Sequence, residues 1–406
     1  MVVGIIAEYN PFHNGHRYQI EQIRKRVKNA SIIVIMSGNF TQRGETAILN
    51  KFKRAELAVK GGCDLVLELP FVSAVRSAQD FAYGSVNLLK NLGIVDFLAF
   101  GAEINDIDIL QKASDSVDNT NFKSILKDNL DVGASYAKAM CQTLSKIAGI
   151  HEKITMLPNV ILAIEYLKVL KITDIKPILI PRSAVGHDDR ILHAGISSAS
   201  SIRDAVHSKN PIWNDIAKTI NNDTLIALRT ADLPIMENLY RPLITKIICS
   251  NTSELKDIYG INEGLENKLI EAAYLSKNLE EFINFVVSRR YTRSRIQRLL
   301  LYILTGLKKE QIKYFDEINY ARILAFNQRG REIIKEIKKS SQIPVITKIA
   351  QHITSRAIYK KGCVFEMYKK KLLFDIISSN IFAISYKNLH LGQDFINSPI
   401  YCKNSI

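Results

Sequence analysis

The stretch Gly4 to Ile20, GIIAEYNPFHNGHRYQI, reads as a buried strand, a tight turn and the start of a helix. Val2 to Ala7 is an almost unbroken apolar run, as a strand covered on both faces requires. Asn10-Pro11 ends it, because Pro11 has no N–H to donate and restricts the residue before it. From Arg17 the apolar residues Tyr18, Ile20, Ile23 and Val27 follow helical spacing. Between strand and helix lies His13-Asn14-Gly15-His16, where Gly15 lets the backbone turn closely. Two histidines thus stand where a helix begins, beside unpaired N–H groups and the positive end of its dipole, a natural anion site. The plain alternative is that they only cap the helix.

Such donors suit nucleotide chemistry. Attack on the α-phosphate of ATP builds negative charge on the phosphoryl oxygens and on the departing pyrophosphate. Fixed donors aimed at that charge lower the barrier, each worth on the order of 2.7–4 kcal/mol.

Four more apolar runs follow. Ser31 to Met36 predicts a second strand, running into Ser37-Gly38-Asn39-Phe40-Thr41-Gln42-Arg43-Gly44-Glu45. Lys51 and Arg54 share a face of a helix predicted over Leu49 to Lys60, where both can reach phosphate or simply face solvent. Cys63 to Leu69 predicts a third strand carrying Asp64 and Glu68, and Ser73 to Leu92 a long amphipathic helix. Val95 to Phe100 is the fourth strand, with Gly101 at its carboxyl end, where a missing side chain admits a base or ribose. Pro158-Asn159 precedes a helix over Val160 to Leu170, so Asn159 either caps it or meets a nucleotide. Lys176 to Ile180 is the fifth strand and delivers Arg182 and Ser183. In Ile196 to Arg203, ISSASSIR, the serines cap the next helix and offer hydroxyls to phosphates. Arg203 reads as first-turn, where a cation opposes the dipole, which argues for an anionic ligand. Repeated strand–helix units predict an α/β fold with a Rossmann-like, doubly wound parallel sheet, ligands binding at the strands' carboxyl ends.

From Asp204 to Lys338 the pattern is helical and basic. Arg289, Arg290, Arg293, Arg295 and Arg298 cluster around Tyr291, the last two beside an apolar helix face of Ile296, Leu299, Leu300 and Ile303. Guanidinium groups bind phosphate and stack on bases, which suits RNA; a solvated helix face is the alternative. Arg322, Arg329 and Arg331 extend the basic character. Val345 to Ile406, with Lys369-Lys370-Lys371, is expected to be a small mixed segment packed on the rest. The expected organisation is 1–204 nucleotide-binding and catalytic, 205–344 helical and RNA-binding, and 345–406 the C-terminal segment.

The 406 residues carry a net charge of +15, which favours a polyanionic partner. No apolar run approaches the ~20 residues of a membrane span. The N-terminus runs straight into a strand without a basic leader, so a cytoplasmic enzyme is expected. Five scattered cysteines without a Cys-x-x-Cys pair fit a reducing compartment and argue against a zinc cluster. No carboxylate cluster demands a protein-held metal, so Mg²⁺ is expected to arrive with the nucleotide. No protein partner is inferred.

The His-x-Gly-His tetrapeptide after a first strand resembles the nucleotidylyltransferase superfamily, and the 196–203 stretch matches its closing Ser-Ser/Thr-x-x-Arg-type motif. AEYNPFHNGH (Ala7 to His16), SGNFTQRGE (Ser37 to Glu45), CDLVLELP (Cys63 to Pro70) and RYTRSRIQR (Arg290 to Arg298) together resemble the bacterial tRNA(Met) cytidine acetate ligases over most of the chain. That resemblance implies activation of acetate with ATP to acetyl-adenylate, then acetylation of N4 of the wobble cytidine of elongator tRNA(Met). It implies His13, His16, Ser198 and Arg203 as catalytic. ATP would be held by Ala7, Glu8, Tyr9, Asn10, Pro11, Phe12, His13, Asn14, Gly15, His16, Arg17, Tyr18, Gln19 and Ile20, with Gly101, Asn159, Arg182 and Ser183. The five clustered arginines would meet the anticodon loop. Two other readings stay open: a small-molecule adenylyltransferase of the nicotinamide mononucleotide or phosphopantetheine type, and a non-catalytic RNA-binding protein on the same scaffold. The intact tetrapeptide speaks against the latter.

Overall fold

The computed structural model describes residues 1–181, 192, 195, 197–316, 320–359 and 365–403. Five parallel strands, β1 (Val2–Ala7), β2 (Ser31–Ser37), β3 (Leu65–Leu69), β4 (Phe97–Ala102) and β5 (Lys176–Pro181), lie in the order β5-β4-β1-β2-β3. This is the expected doubly wound pattern. The pleat sends alternate side chains to two cores: Ile33, Ile35, Leu65 and Leu67 to one, Ile32, Val34, Met36 and Val66 to the other. Helices α1 (Asn14–Arg26) and α2 (Lys51–Lys60) close the second core through Ile20, Ile23, Leu57 and Ala58. The Ala78–Leu92 and Pro158–Leu170 helices cover the first. Gly4 permits this approach, since a Cβ there would stand 2.9 Å from Leu89.

The sheet does not stop at residue 204. β6 (Ala321–Phe326) adds antiparallel to β3, and β7 (Val345–Ile346) and β8 (Ile400–Tyr401) both pair with β6. Asp204 to Lys338 is mostly helical, as expected, with β6 its one strand among the described residues. The expected divisions at 204 and 344 therefore do not divide the sheet.

A buried ionic quartet explains why. Lys51, 1% exposed, reaches Glu68 Oε1 and Asp394 Oδ1, both at 2.8 Å, and Ser379 Oγ at 3.0 Å. Arg322 of β6 meets Glu68 Oε2 at 2.8 Å and Asp394 Oδ1 at 2.7 Å. Burial would raise the Asp394 carboxyl, but Arg322 and Lys51 outweigh it and hold it well below the usual carboxylate range. Lys51 is thus a structural counter-ion rather than a phosphate ligand. Arg322 likewise leaves the basic surface, and Lys371 is buried with its Nζ on the Phe315 carbonyl at 2.8 Å.

Lys51→Met would leave two buried carboxylates to share Arg322. It is expected to lower stability by about 3–5 kcal/mol, read from the urea midpoint. Lys53→Met, at a side chain 44% exposed and paired with Glu56, is expected to change it by under about 1 kcal/mol.

Candidate active site

The carboxyl ends of the parallel strands open into a cavity of about 760 Å³. From the first stretch it is lined by Ala7, Glu8, Tyr9, Asn10, His13, Gly15, His16, Tyr18 and Gln19. Pro11, Phe12, Asn14, Arg17 and Ile20 are not in its lining. Phe12 and Ile20 pack in the core, and Arg17 pairs on the surface with Glu21 at 3.1 Å. Asn14 spends its side-chain amide on the carbonyls of Gly195 and Lys218. Gly15 lies in the first turn of α1 rather than in a loop; the backbone turns at Tyr9, whose φ is 46°.

The two histidines cap α1 and also face the cavity. His13 Nδ1 accepts the Gly15 N–H at 3.0 Å, and His16 Nδ1 accepts the His13 N–H at 3.2 Å. Their rings stack with centroids 3.7 Å apart. An Nδ1 that accepts carries no proton, so the neutral ring keeps its N–H at Nε2. Capping and donation are therefore compatible functions of one residue, not alternatives.

Ser198 caps the Ala199–Val206 helix by accepting the Ser201 N–H at 3.0 Å, as expected, and lines the cavity with Ser197 and Ser200. Arg203 belongs to the last turn of this helix, where a cation suits the dipole. The expected clash with the dipole disappears. Its guanidinium donates to the Asn10 carbonyl at 2.8 Å and lies 3.8 Å from Glu45. The closing motif and the tetrapeptide, far apart in sequence, thus share one wall.

Gly101 and Asn159 also line the cavity. Asn159 does not cap its helix: Glu103 accepts its side-chain amide at 2.6 Å and the Val160 N–H at 3.0 Å. Arg182 and Ser183 lie outside the described residues. Arg54, expected at phosphate, is fully buried. It donates to the carbonyls of Leu49, Glu8, Ser37 and Gly38, holding the ends of β1 and β2 beneath the site. Burial pushes its guanidinium down to about 10.

Sequence reasoning missed one wall. Thr41, Gln42, Arg43 and Glu45 line the cavity from the loop after β2, and Arg293, Gln297 and Arg298 from the Arg293–Thr305 helix. Gln42 joins the two halves. Its N–H goes to Glu8 Oε1 at 2.6 Å, and its carbonyl accepts from Arg298 at 3.4 Å. Burial pushes the Glu8 carboxyl up even though it accepts that N–H. Of the clustered arginines, Arg290 pairs with Glu263, Arg293 with Glu280, and Arg295 stacks on Tyr291 at 4.5 Å. Arg289 is exposed, while Arg298 turns inward.

The profile of the HIGH nucleotidyl transferase family matches residues 1–394. A protein of Caldanaerobacter subterraneus subsp. tengcongensis named tRNA(Met) cytidine acetate ligase is 37% identical over 407 residues, spanning 98% of this chain and 99% of its own. A Thermoanaerobacter sp. protein of the same name is 38% identical over 410 residues, with 98% and 99% covered. Among solved structures, apo Thermotoga maritima TmcAL is similar with a TM-score of 0.89 at 30% identity, covering 99% of this chain and 100% of that one. The form bound with alpha-thio ATP gives 0.87 at the same identity and coverage.

Gly44 has φ +82°, and a Cβ there would stand 2.5 Å from the Arg298 backbone nitrogen. Gly44→Ala is expected to cost at least about 1–2 kcal/mol from the left-handed backbone alone, seen as a lower thermal midpoint.

Proposed function

This chain belongs to the HIGH nucleotidyl transferase family, and on that premise we propose that it is an ATP-dependent tRNA(Met) cytidine acetate ligase. It activates acetate as acetyl-adenylate and acetylates N4 of the wobble cytidine of elongator tRNA(Met). The observation that carries the reading is the shared cavity: His13, His16, Ser198 and Arg203 line it together with residues of the arginine-bearing helix. The names of the full-length relatives and the ATP-analogue complex of the solved neighbour support it.

An acetate oxygen attacks the α-phosphorus, and pyrophosphate leaves. Charge then grows where the two imidazoles, the serine hydroxyls and Arg203 can supply fixed donors, so the site needs no covalent intermediate. In the second step the cytidine amine attacks the acetyl carbon, AMP leaves, and the amine loses a proton. This step rests mainly on positioning, because adenylate is a good leaving group. The exposed arginines of residues 289–295 are the surface for the anticodon loop, whose splayed bases are what proteins read in RNA. Mg²⁺, carried in on the nucleotide's phosphates, would complete the charge balance of the site. No described helix is long and apolar enough to cross a membrane.

The test is ATP-dependent transfer of labelled acetate to deproteinised total tRNA, with acetyl-CoA absent. Label should appear as N4-acetylcytidine. His16→Ala should slow it by about 10²–10³-fold, as the loss of one transition-state donor does. Product from acetyl-CoA alone would overturn the reading. No acetate-dependent signal in either transfer or pyrophosphate exchange would favour a small-molecule adenylyltransferase.

A further inference from the structure

The ligase reading leaves one problem unsolved: acetate is an anion and must approach a phosphate that is also anionic. A cavity cation without a carboxylate partner would offset that repulsion for the incoming anion. Of the four described arginines that line the cavity, two have a carboxylate beside them. Arg203 bonds the Asn10 carbonyl and lies by Glu45, and Arg293 is paired with Glu280. His13 and His16 are fixed through Nδ1 at the start of α1. Arg43 is exposed.

Arg298 differs. It is half-buried, and among the described residues it has no carboxylate within ion-pairing distance; its polar contact is the long bond to the Gln42 carbonyl. Burial and the neighbouring Arg295 both disfavour its charge, and the aromatic and acidic groups near it, Tyr302, Tyr259 and Asp80, offset this only in part. Asp80 is itself bonded to Arg76 at 2.8 Å. A guanidinium kept desolvated without a counter-ion is a receptor for a planar anion, which it binds through two parallel N–H groups. Gln42 places that receptor one residue's span from Glu8, at the end of β1. Ala78 and Phe81 give the same cavity apolar surface for a methyl group.

We infer that Arg298 binds the carboxylate of the acetate substrate, and is not one of the arginines that meet RNA. The inference rests on the ligase reading, and acetate-dependent ATP–pyrophosphate exchange by the full chain, with no RNA present, tests the two separately. Wild-type exchange establishes the acetate-activating half of the reading, on which the inference rests. Arg298→Ala should then raise the KM for acetate about tenfold or more, the worth of a hydrogen-bonded charge pair, with the KM for ATP within about twofold. Arg298→Lys should fall between, and millimolar guanidinium should partly restore Arg298→Ala, which a misfolded protein would not show. An unchanged acetate KM in Arg298→Ala, with loss only of tRNA acetylation, would make Arg298 an RNA contact and overturn the inference. So would exchange that neither lysine nor guanidinium restores. Absence of any acetate-dependent signal in the wild type, in exchange and in transfer to tRNA alike, would overturn the reading and the inference together.

Discussion

Two cations and two carboxylates, Lys51, Arg322, Glu68 and Asp394, are sealed between β3, β6, the first turn of α2 and the Gln393–Ile396 helix. Each ion alone would cost several kcal/mol to remove from water, and each is stabilised chiefly by the others. The quartet therefore forms as a unit or not at all. It brings residues from four distant parts of the chain to the edge of a parallel sheet. The antiparallel addition of β6 follows from it, and so does the position of the Met367–Ile384 helix, whose Ser379 also binds Lys51.

The candidate cavity lies at the carboxyl ends of the parallel strands. With α2 held by Lys51, one turn further on Arg54 points under the site and gathers the carbonyls at the ends of β1 and β2. These are the strand ends from which the tetrapeptide and the 41–45 loop emerge. Backbone groups then set the orientation of the cavity-lining side chains proposed to act on ATP. The histidines accept N–H groups at the start of α1, Ser198 accepts one at the start of its helix, and Arg203 donates to Asn10. Donors fixed in this way need no reorganisation as charge develops, which is the physical basis of electrostatic catalysis.

The same locality decides what could be read in advance. The five parallel strands were legible because each is a largely apolar run ended by glycine, proline or a polar loop, a signal carried by five to seven adjacent residues. The His13–His16 cap and the Ser198 cap were legible for the same reason. β6 was not: Arg322 sits inside the run ARILAF, and an arginine in a buried strand makes sense only once Glu68 and Asp394 are seen opposite it. Asn159 read as a cap or an ATP contact; Glu103 from the end of β4 takes the cap's place, and Asn159 lines the cavity.

The sequence by itself determined the nucleotide-binding half, the chemistry of its first loop and the family, because these rest on short-range patterns. Only the tertiary structure decided what each basic residue is for. Lys51 and Arg54 have the same spacing whether they meet phosphate or buried acids, and Arg298 has the same helical position whether it faces RNA or the cavity. A cation's role is set by the counter-charge that folds against it, and for Lys51 and Arg322 that charge lies in a distant part of the chain.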